Sequence, residues 1–214
     1  MSRSLRMERE RNNRIEDIID TAEQLFFSKG YEHVTVDEIA KKAEFSKSTL
    51  YTYFESKEEI FLLVHLKGLK KRWQVTEAMK TKKNGIDKLR IFGEEYYKFY
   101  KKYPEYLRLQ LYWSTYGINF DKISKSSIKM FEEENKRSLD IVKQTFQMEL
   151  LNSKHPSAEN IERLVSYFYE TLRIILNKSL FPIDPFHRYN NKEYYFRFLD
   201  MFLLSVKTMS NNDY

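Results

Sequence analysis

Six side chains between residues 46 and 53 combine hydroxyls, phenols and an ammonium group at close spacing. They are Ser46, Lys47, Ser48, Thr49, Tyr51 and Tyr53. At the start of a helix, Lys47 and Ser48 are best placed for base edges, and lysine favours the O6 and N7 atoms of guanine. Thr49 suits a thymine methyl or a phosphate, whereas the two tyrosines suit phosphates and sugars. We therefore predict a DNA-contacting surface, provided that one short helix presents these groups together.

Two short helices separated by a turn are predicted around this surface. Thr35 begins a capping box with Glu38, in which the hydroxyl takes an early amide proton and the glutamate reaches back. Ser46 is a good N-cap for the second helix, whose Leu50 and Phe54 face inward. This geometry suits a helix-turn-helix, in which the second helix lies in the major groove with its N-terminal residues at base edges.

The same region resembles the helix-turn-helix of the TetR family of bacterial one-component regulators. The family's usual run is close to T-x-x-x-I-A-x-x-A-G-V-S-x-G-T-L-Y-x-Y-F-x-S-K-E-E-L. The matching residues here are Thr35, Ile39, Ala40, Ala43, Ser46, Thr49, Leu50, Tyr51, Tyr53, Phe54, Ser56, Lys57, Glu58, Glu59 and Ile60. The resemblance covers roughly residues 12–72, with the motif itself at 35–54.

Two positions depart from the family pattern. Glu44 stands in the tight turn where the family usually has glycine, and Ser48 replaces another common glycine. If the turn needs a positive φ, Glu44 carries strain on the order of 1 kcal/mol.

Two further side chains are predicted to contact phosphates. Thr35 and Lys57 lie at helix N-termini, where backbone amides and the helix dipole favour an anion. Two alternatives to DNA contact remain open: Thr35 can serve only as a helix cap, and Tyr53 can serve only in packing.

Composition predicts an all-α protein. The 214 residues include no cysteine and only five glycines and four prolines. Glycine and proline favour turns, so the sequence contains few sites for β-turns. The absence of cysteine excludes a disulfide framework and a thiolate metal site, and it fits the cytoplasm. The polar N-terminus lacks the apolar core of a secretory signal, and no run approaches 18 apolar residues, so no membrane partner is predicted.

The prediction of DNA binding does not rest on the net charge of the chain. The chain has a formal charge of +6, but residues 35–57 are neutral, because their lysines are matched by carboxylates. The local exception is an arm that contains Arg3, Arg6, Arg9, Arg11 and Arg14. Such an arm can follow phosphates or enter a minor groove, or it can be a solvated disordered tail, and both possibilities remain open.

About nine helices are predicted in total. Three form an N-terminal DNA-binding domain at residues 12–72, and the others form a ligand-binding and dimerisation domain at 73–214. The segment 56–82 is predicted as one long helix because Gly68 is its only internal breaker. This arrangement is what the family resemblance implies.

The last two helices are apolar on more than one face, which predicts burial against a second copy of the chain. The resemblance implies a homodimer held by a four-helix bundle, and a thick monomeric core is the alternative. The predicted interface residues are Leu164, Phe168, Leu172, Ile175, Phe198 and Phe202.

The middle of the chain is rich in aromatic residues. Tyrosine combines a large apolar body with a hydroxyl group, which suits a pocket for an organic ligand. The candidates are Tyr100, Tyr112, Trp113, Tyr116 and Phe168, with ordinary core packing as the alternative for each. Arg108 or Arg173 could pair with an anionic ligand and Glu95 or Glu170 with a cationic one, and the sequence does not choose.

Enzyme motifs such as G-x-G-x-x-G, H-E-x-x-H and G-x-S-x-G are missing, and the four histidines are far apart. We therefore predict no catalytic residues, no metal and no cofactor. The expectation is a transcriptional repressor that binds a palindromic operator in double-stranded DNA as a homodimer and is released by a small hydrophobic or amphipathic effector of unknown identity. The alternatives are a DNA binder without an inducer, and an all-α carrier or enzyme with a vestigial helix-turn-helix.

Overall fold

The structure is a computed structural model that describes residues 3–150, 157–180 and 191–211. Every regular element in these ranges is helical, which confirms the predicted fold class. The elements are α1 (Arg3–Lys29), α2 (Val36–Lys42), α3 (Lys47–Leu50), α4 (Lys57–Lys71), α5 (Trp73–Met79), α6 (Gly85–Lys102), α7 (Pro104–Tyr116), α8 (Lys125–Glu149), α9 (Ala158–Leu180) and α10 (Asn191–Asn211), with a 3₁₀ turn at Phe120–Lys122. None of the described helices is long and apolar enough to cross a membrane.

The chain packs as two compact units. The N-terminal unit contains the described residues up to 70 together with 108–134, and the C-terminal unit contains 71–107 and the described residues from 135 onwards. The N-terminal unit therefore includes parts of α7 and α8 in addition to the helix-turn-helix. The functional boundary at residue 72 stays a prediction.

The core of the N-terminal unit fixes which side of α3 faces outward. The buried face of α1 contains Ile18, Ala22, Leu25 and Phe26. Leu50 in α3 and Phe54 just after it are 0% and 3% exposed, as the sequence predicts for both. Burying side chains of this size contributes about 1.5–3 kcal/mol each, so rotating α3 to hide its polar side would be costly.

The structure corrects two predicted helix bounds. The arginine arm is neither an extended arm nor a disordered tail, because α1 already begins at Arg3. The helix predicted at 56–82 is interrupted at Arg72, where the Val75 amide donates to the Arg72 carbonyl in a tighter three-residue turn. Arginine is a good helix former, so the sequence contains no breaker at this position.

Helices α6, α9 and α10 build the core of the C-terminal unit. Gly93 allows α6 and α10 to approach closely, because a Cβ atom there would lie 2.6 Å from Leu199. The buried Tyr195 hydroxyl donates to the Gly93 carbonyl at 2.7 Å. A close helix pair is thus held by both packing and a buried hydrogen bond.

Candidate nucleic-acid interface

The start of α3 is held by a cluster of hydroxyl groups. The Ser46 side chain accepts a hydrogen bond from the Thr49 amide at 3.0 Å, which confirms the predicted N-cap. Its hydroxyl oxygen also lies 2.8 Å from that of Ser48 and 2.7 Å from that of Thr49. Ser46 and Ser48 are exposed, and Thr49 is half-buried. The cluster therefore presents several adjustable donors and acceptors on the outer side of the helix.

The turn that leads into α3 is a Schellman motif. Glu44 has φ of 61° and is the one residue other than glycine with positive φ in the described ranges. Its amide donates to the Lys41 carbonyl at 3.3 Å, and the Phe45 amide donates to the Ala40 carbonyl at 2.9 Å. These two bonds close the end of α2 in the pattern that normally places glycine at the left-handed position. Glu44 thus has the positive φ on which the strain argument is conditional.

Lys47 projects from the first residue of α3 and is paired with α2. Its ammonium donates to the Asp37 carboxylate at 2.7 Å, with half or more of each side chain exposed. The hydrogen bond that Lys47 donates to Asp37 raises the pKa of Lys47, so the side chain stays charged. An exposed pair of this kind is weak in water, and Lys47 can exchange Asp37 for another acceptor.

The two tyrosines of the surface have different environments. Tyr51 is 48% exposed and is available to a partner molecule. Tyr53 is half-buried beside the N-terminal turns of α1: Arg14 donates to its hydroxyl at 3.5 Å, and the Arg11 guanidinium lies 5.5 Å from its ring centroid. The sequence predicts the first helix only from about residue 15, so it does not predict these contacts of Arg11 and Arg14.

The structure corrects the role predicted for Lys57. Its ammonium donates to the backbone carbonyls of Tyr31 and Val34, each at 2.8 Å, and lies 4.0 Å from the Tyr31 ring centroid. Burial lowers the pKa of Lys57. The side chain therefore braces the connection between α1 and α2 instead of reaching outward to a phosphate.

Thr35 caps α2 as predicted, but the reciprocal half of its capping box does not form. The Thr35 hydroxyl accepts from the Glu38 amide at 3.1 Å. The Glu38 carboxylate pairs with Lys29 instead of reaching back, and the hydrogen bond from Lys29 lowers the pKa of Glu38. Glu38 thus ties the end of α1 to α2.

A cavity of about 780 Å³ lies within the N-terminal unit. It is bordered by α1, by residues 51–55 after α3, by α4 and by residues 124–130. Charged groups of both signs line it, among them Arg11, Asp20 and Lys67. None of the five side chains predicted to bind a ligand lines this cavity.

The predicted ligand residues are divided between the two units. Tyr100 and Phe168 are buried in the C-terminal unit. In the N-terminal unit, Tyr112 packs 5.1 Å from Tyr31, whereas Tyr116 is 70% exposed. Trp113 packs 4.9 Å from Phe131 in the same unit. The five residues therefore do not all belong to one unit, and their ligand role stays a prediction.

The predicted interface residues also differ in exposure. Phe168, Leu172 and Ile175 are at most 5% exposed and belong to the core of their own unit, so they are corrected to core residues. Leu164, Phe198 and Phe202 are half-buried, and their interface role stays a prediction. The apolar side chains exposed on α9 and α10 are Tyr167, Ile174, Tyr194, Met201, Leu204 and Met209.

Residues 18–64 match the family model described as bacterial regulatory proteins, tetR family. Two curated regulators are similar over short segments. The uncharacterized HTH-type transcriptional regulator YuxN of Bacillus subtilis is 51% identical over 45 residues, which are 21% of this chain and 16% of YuxN. The negative regulator of the biofilm operon icaADBC, IcaR of Staphylococcus epidermidis, is 46% identical over 44 residues, 21% of this chain and 24% of IcaR. These matches span a quarter or less of the relatives' length.

A likeness to a solved structure extends over most of the chain. The regulator FadR from Bacillus subtilis, in complex with stearoyl-CoA, superposes with a TM-score of 0.64 and 16% identity over 88% of this chain and 97% of FadR. At this identity the likeness shows the shared fold alone. The sequence match lies on the helix-turn-helix, where the capped α3 and its outward polar groups are found. The helix-turn-helix region, residues 18–64, is therefore of the kind that the tetR family model of bacterial regulatory proteins describes.

Proposed function

We propose that the chain is a transcriptional repressor that binds a palindromic operator as a homodimer and is released by a small effector. The observation that carries this proposal is α3 itself. Buried Leu50 anchors the helix, and the opposite side presents Lys47, Ser48 and Tyr51 to solvent. The helix is thereby fixed with its polar groups outward, as reading a major groove requires. The negative regulation named for IcaR supports repression.

A second copy is supported by the exposed apolar side chains of the last two helices. Tyr167 and Ile174 lie seven residues apart on α9, and Tyr194, Met201 and Leu204 share one side of α10. Two adjacent apolar stripes of this kind form a self-complementary surface for a twofold dimer. Two copies of α3 would then contact two half-sites of one palindrome.

The first test is selection of DNA from a pool of random duplexes, followed by footprinting. A recovered palindrome supports the proposal, and recovery of no preferred sequence overturns it. Lys47→Ala with Tyr51→Ala is expected to lower affinity for that palindrome about 100-fold, since each of two half-sites loses about tenfold.

The matched control for this variant is Lys129→Ala with Tyr116→Ala. It removes the same two residue types from exposed positions in the same unit. It should bind the palindrome as tightly as the parent chain, and equal losses in both double variants would contradict the assignment of α3.

The dimer has a separate test by sedimentation. Met201→Glu with Leu204→Glu places charges on the most exposed apolar positions of α10 and should give a monomer. Met148→Glu changes a methionine on α8 that is 49% exposed and should leave the parent state unchanged. A dimeric Met201→Glu, Leu204→Glu variant would place the interface elsewhere.

A further inference from the structure

The C-terminal unit contains a buried cation without a carboxylate partner. Arg72 is 6% exposed, and its guanidinium donates to the Tyr100 hydroxyl at 3.0 Å. Its guanidinium carbon lies 5.4 Å from the ring centroid of Tyr96 and 6.0 Å from that of Tyr169. Within the described ranges, no carboxylate lies within ion-pair distance of Arg72. Buried charges in proteins are normally paired, so this arrangement calls for a reason.

The same cluster has more hydrogen-bond donors than acceptors. A guanidinium carries five N–H donors, and the described part of the chain gives it one acceptor. The buried hydroxyls of Tyr96 and Tyr169 make no hydrogen bond of standard geometry in the described ranges, although Tyr100 lies near the first and Ser138 near the second. Burial raises the pKa of both phenols, so both keep their protons at neutral pH. A cation and two neutral O–H donors therefore converge in a cluster whose nearby acceptors are hydroxyl groups, with no anionic acceptor in the described ranges.

Aromatic stacking explains only part of this arrangement. The tyrosine rings attract the guanidinium through their faces, which offsets some of the cost of burying the charge. The ring faces do not provide an acceptor for the phenol O–H groups of the same residues. A buried donor without an acceptor lowers the stability of the protein. A carboxylate or a phosphate oxygen would satisfy the donors and neutralise the cation at once, and the planar guanidinium fits such groups well.

The neighbourhood of this cluster is aromatic and apolar. Phe92 stacks on Tyr96 at 5.4 Å and meets the Tyr169 ring at 5.4 Å. The Phe168 ring centroid lies 5.7 Å from that of Phe92. An anionic group bound by Arg72 would thus have apolar surface beside it, which suits a molecule with a charged head and an apolar body.

We propose that Arg72, Tyr96 and Tyr169 form a binding site for the oxyanion group of an amphipathic organic acid. The inference rests on the proposed function, because it names the chemical class of the effector. Arg72 is the residue that joins α4 to α5, so an anion held there acts on the chain directly after α4. Ligand affinity that differs between two conformations at this joint is what release from DNA requires.

The test is calorimetric titration of the full chain with decanoate, decyl phosphate and uncharged methyl decanoate. At least one anion should bind tenfold or more tightly than the ester, and the stronger of the two anions shows whether the group is a carboxylate or a phosphate. Equal binding of the ester and both anions, or no binding of either anion, overturns the proposal.

Two variants separate binding from folding. Tyr96→Phe with Tyr169→Phe removes the two buried hydroxyls that make no hydrogen bond of standard geometry, so the free protein should be at least as stable while its affinity for the anion falls about tenfold. Tyr195→Phe is the matched control, because that hydroxyl is already used by the Gly93 carbonyl. The control should lose stability and keep its affinity for the anion. Parent-like anion binding by the double variant overturns the site.

The last step measures operator affinity with and without the anion. Release of DNA supports both the site and the proposed function. If the anion binds with the expected variant pattern but operator affinity does not change, the site stands and the effector part of the proposed function fails.

Discussion

Replacing Glu44 by glycine is expected to stabilise the protein, although most substitutions destabilise. Glu44 is exposed and occupies the left-handed position of the Schellman turn with φ of 61°. A side chain in that conformation costs about 1–2 kcal/mol, which glycine avoids. Glycine also adds freedom to the unfolded chain, which costs about 0.4–1 kcal/mol. The net gain in the free energy of unfolding is therefore about 0.5–1 kcal/mol.

The control is Ser48→Gly, which introduces the second glycine common in the family. Ser48 lies inside α3, and it is not among the described residues with positive φ. Glycine relieves no strain there and is expected to lower stability by about 0.5–1 kcal/mol. Glu44→Gln keeps the side-chain length and removes the charge, so it should leave stability unchanged within about 0.5 kcal/mol.

Urea unfolding of the three variants at one fixed protein concentration measures these differences, because the midpoint of an oligomer depends on concentration. Amide exchange at Glu44 and Phe45 should slow in the Glu44→Gly variant, since both amides close the turn. A Glu44→Gly variant that loses as much stability as Ser48→Gly would refute the strain argument.

Three other substitutions test single contacts. Lys57→Met should lower the free energy of unfolding, measured in urea, by about 2 kcal/mol, because two backbone carbonyls lose a charged donor. An unchanged free energy of unfolding would show that these two hydrogen bonds do not stabilise the protein. Glu59→Ala should lower the free energy of unfolding, measured by thermal unfolding, by about 3 kcal/mol. The Glu59 carboxylate is 3% exposed and accepts hydrogen bonds from the Glu55 amide and the Ser127 hydroxyl, which would lose their acceptor. A change below about 1 kcal/mol would contradict this reasoning. Asp37→Asn should tighten operator binding a few-fold in fluorescence anisotropy, because Lys47 is no longer held by a carboxylate; weaker binding would mean that Asp37 orients Lys47.

The helix-turn-helix could be predicted because its determinants are local. The Ser46 cap and the inward positions of Leu50 and Phe54 depend on contacts within a few residues or on a repeating apolar pattern. The positive φ of Glu44 occurs at a position where the family motif usually has glycine, so the sequence marks this turn as a possible left-handed site. Each of these features is specified by residues that are close together in the chain.

The C-terminal unit was harder to predict because its determinants are distant in sequence. The break at Arg72 accompanies a hydrogen bond to Tyr100, 28 residues away. The sequence suggests Arg108 or Arg173, and not Arg72, as the partner of an anionic ligand. No local pattern marks Arg72 as buried, since arginine in a helix is usually exposed. The signal that identifies it is a count of donors and acceptors, which requires coordinates.

The interface for DNA needs little rearrangement of the side chains that build it. Lys47 and the hydroxyl of Ser48 are held by exposed partners, Asp37 and Ser46, and such contacts in water are exchanged at small cost. Leu50, in contrast, is fully buried and fixes the direction of the helix. The backbone of α3 is therefore preformed while its polar groups remain adjustable. Since residues 35–57 are also neutral overall, we expect strong operator binding to need both such helices of the proposed dimer, so that a change in the dimer would change the binding.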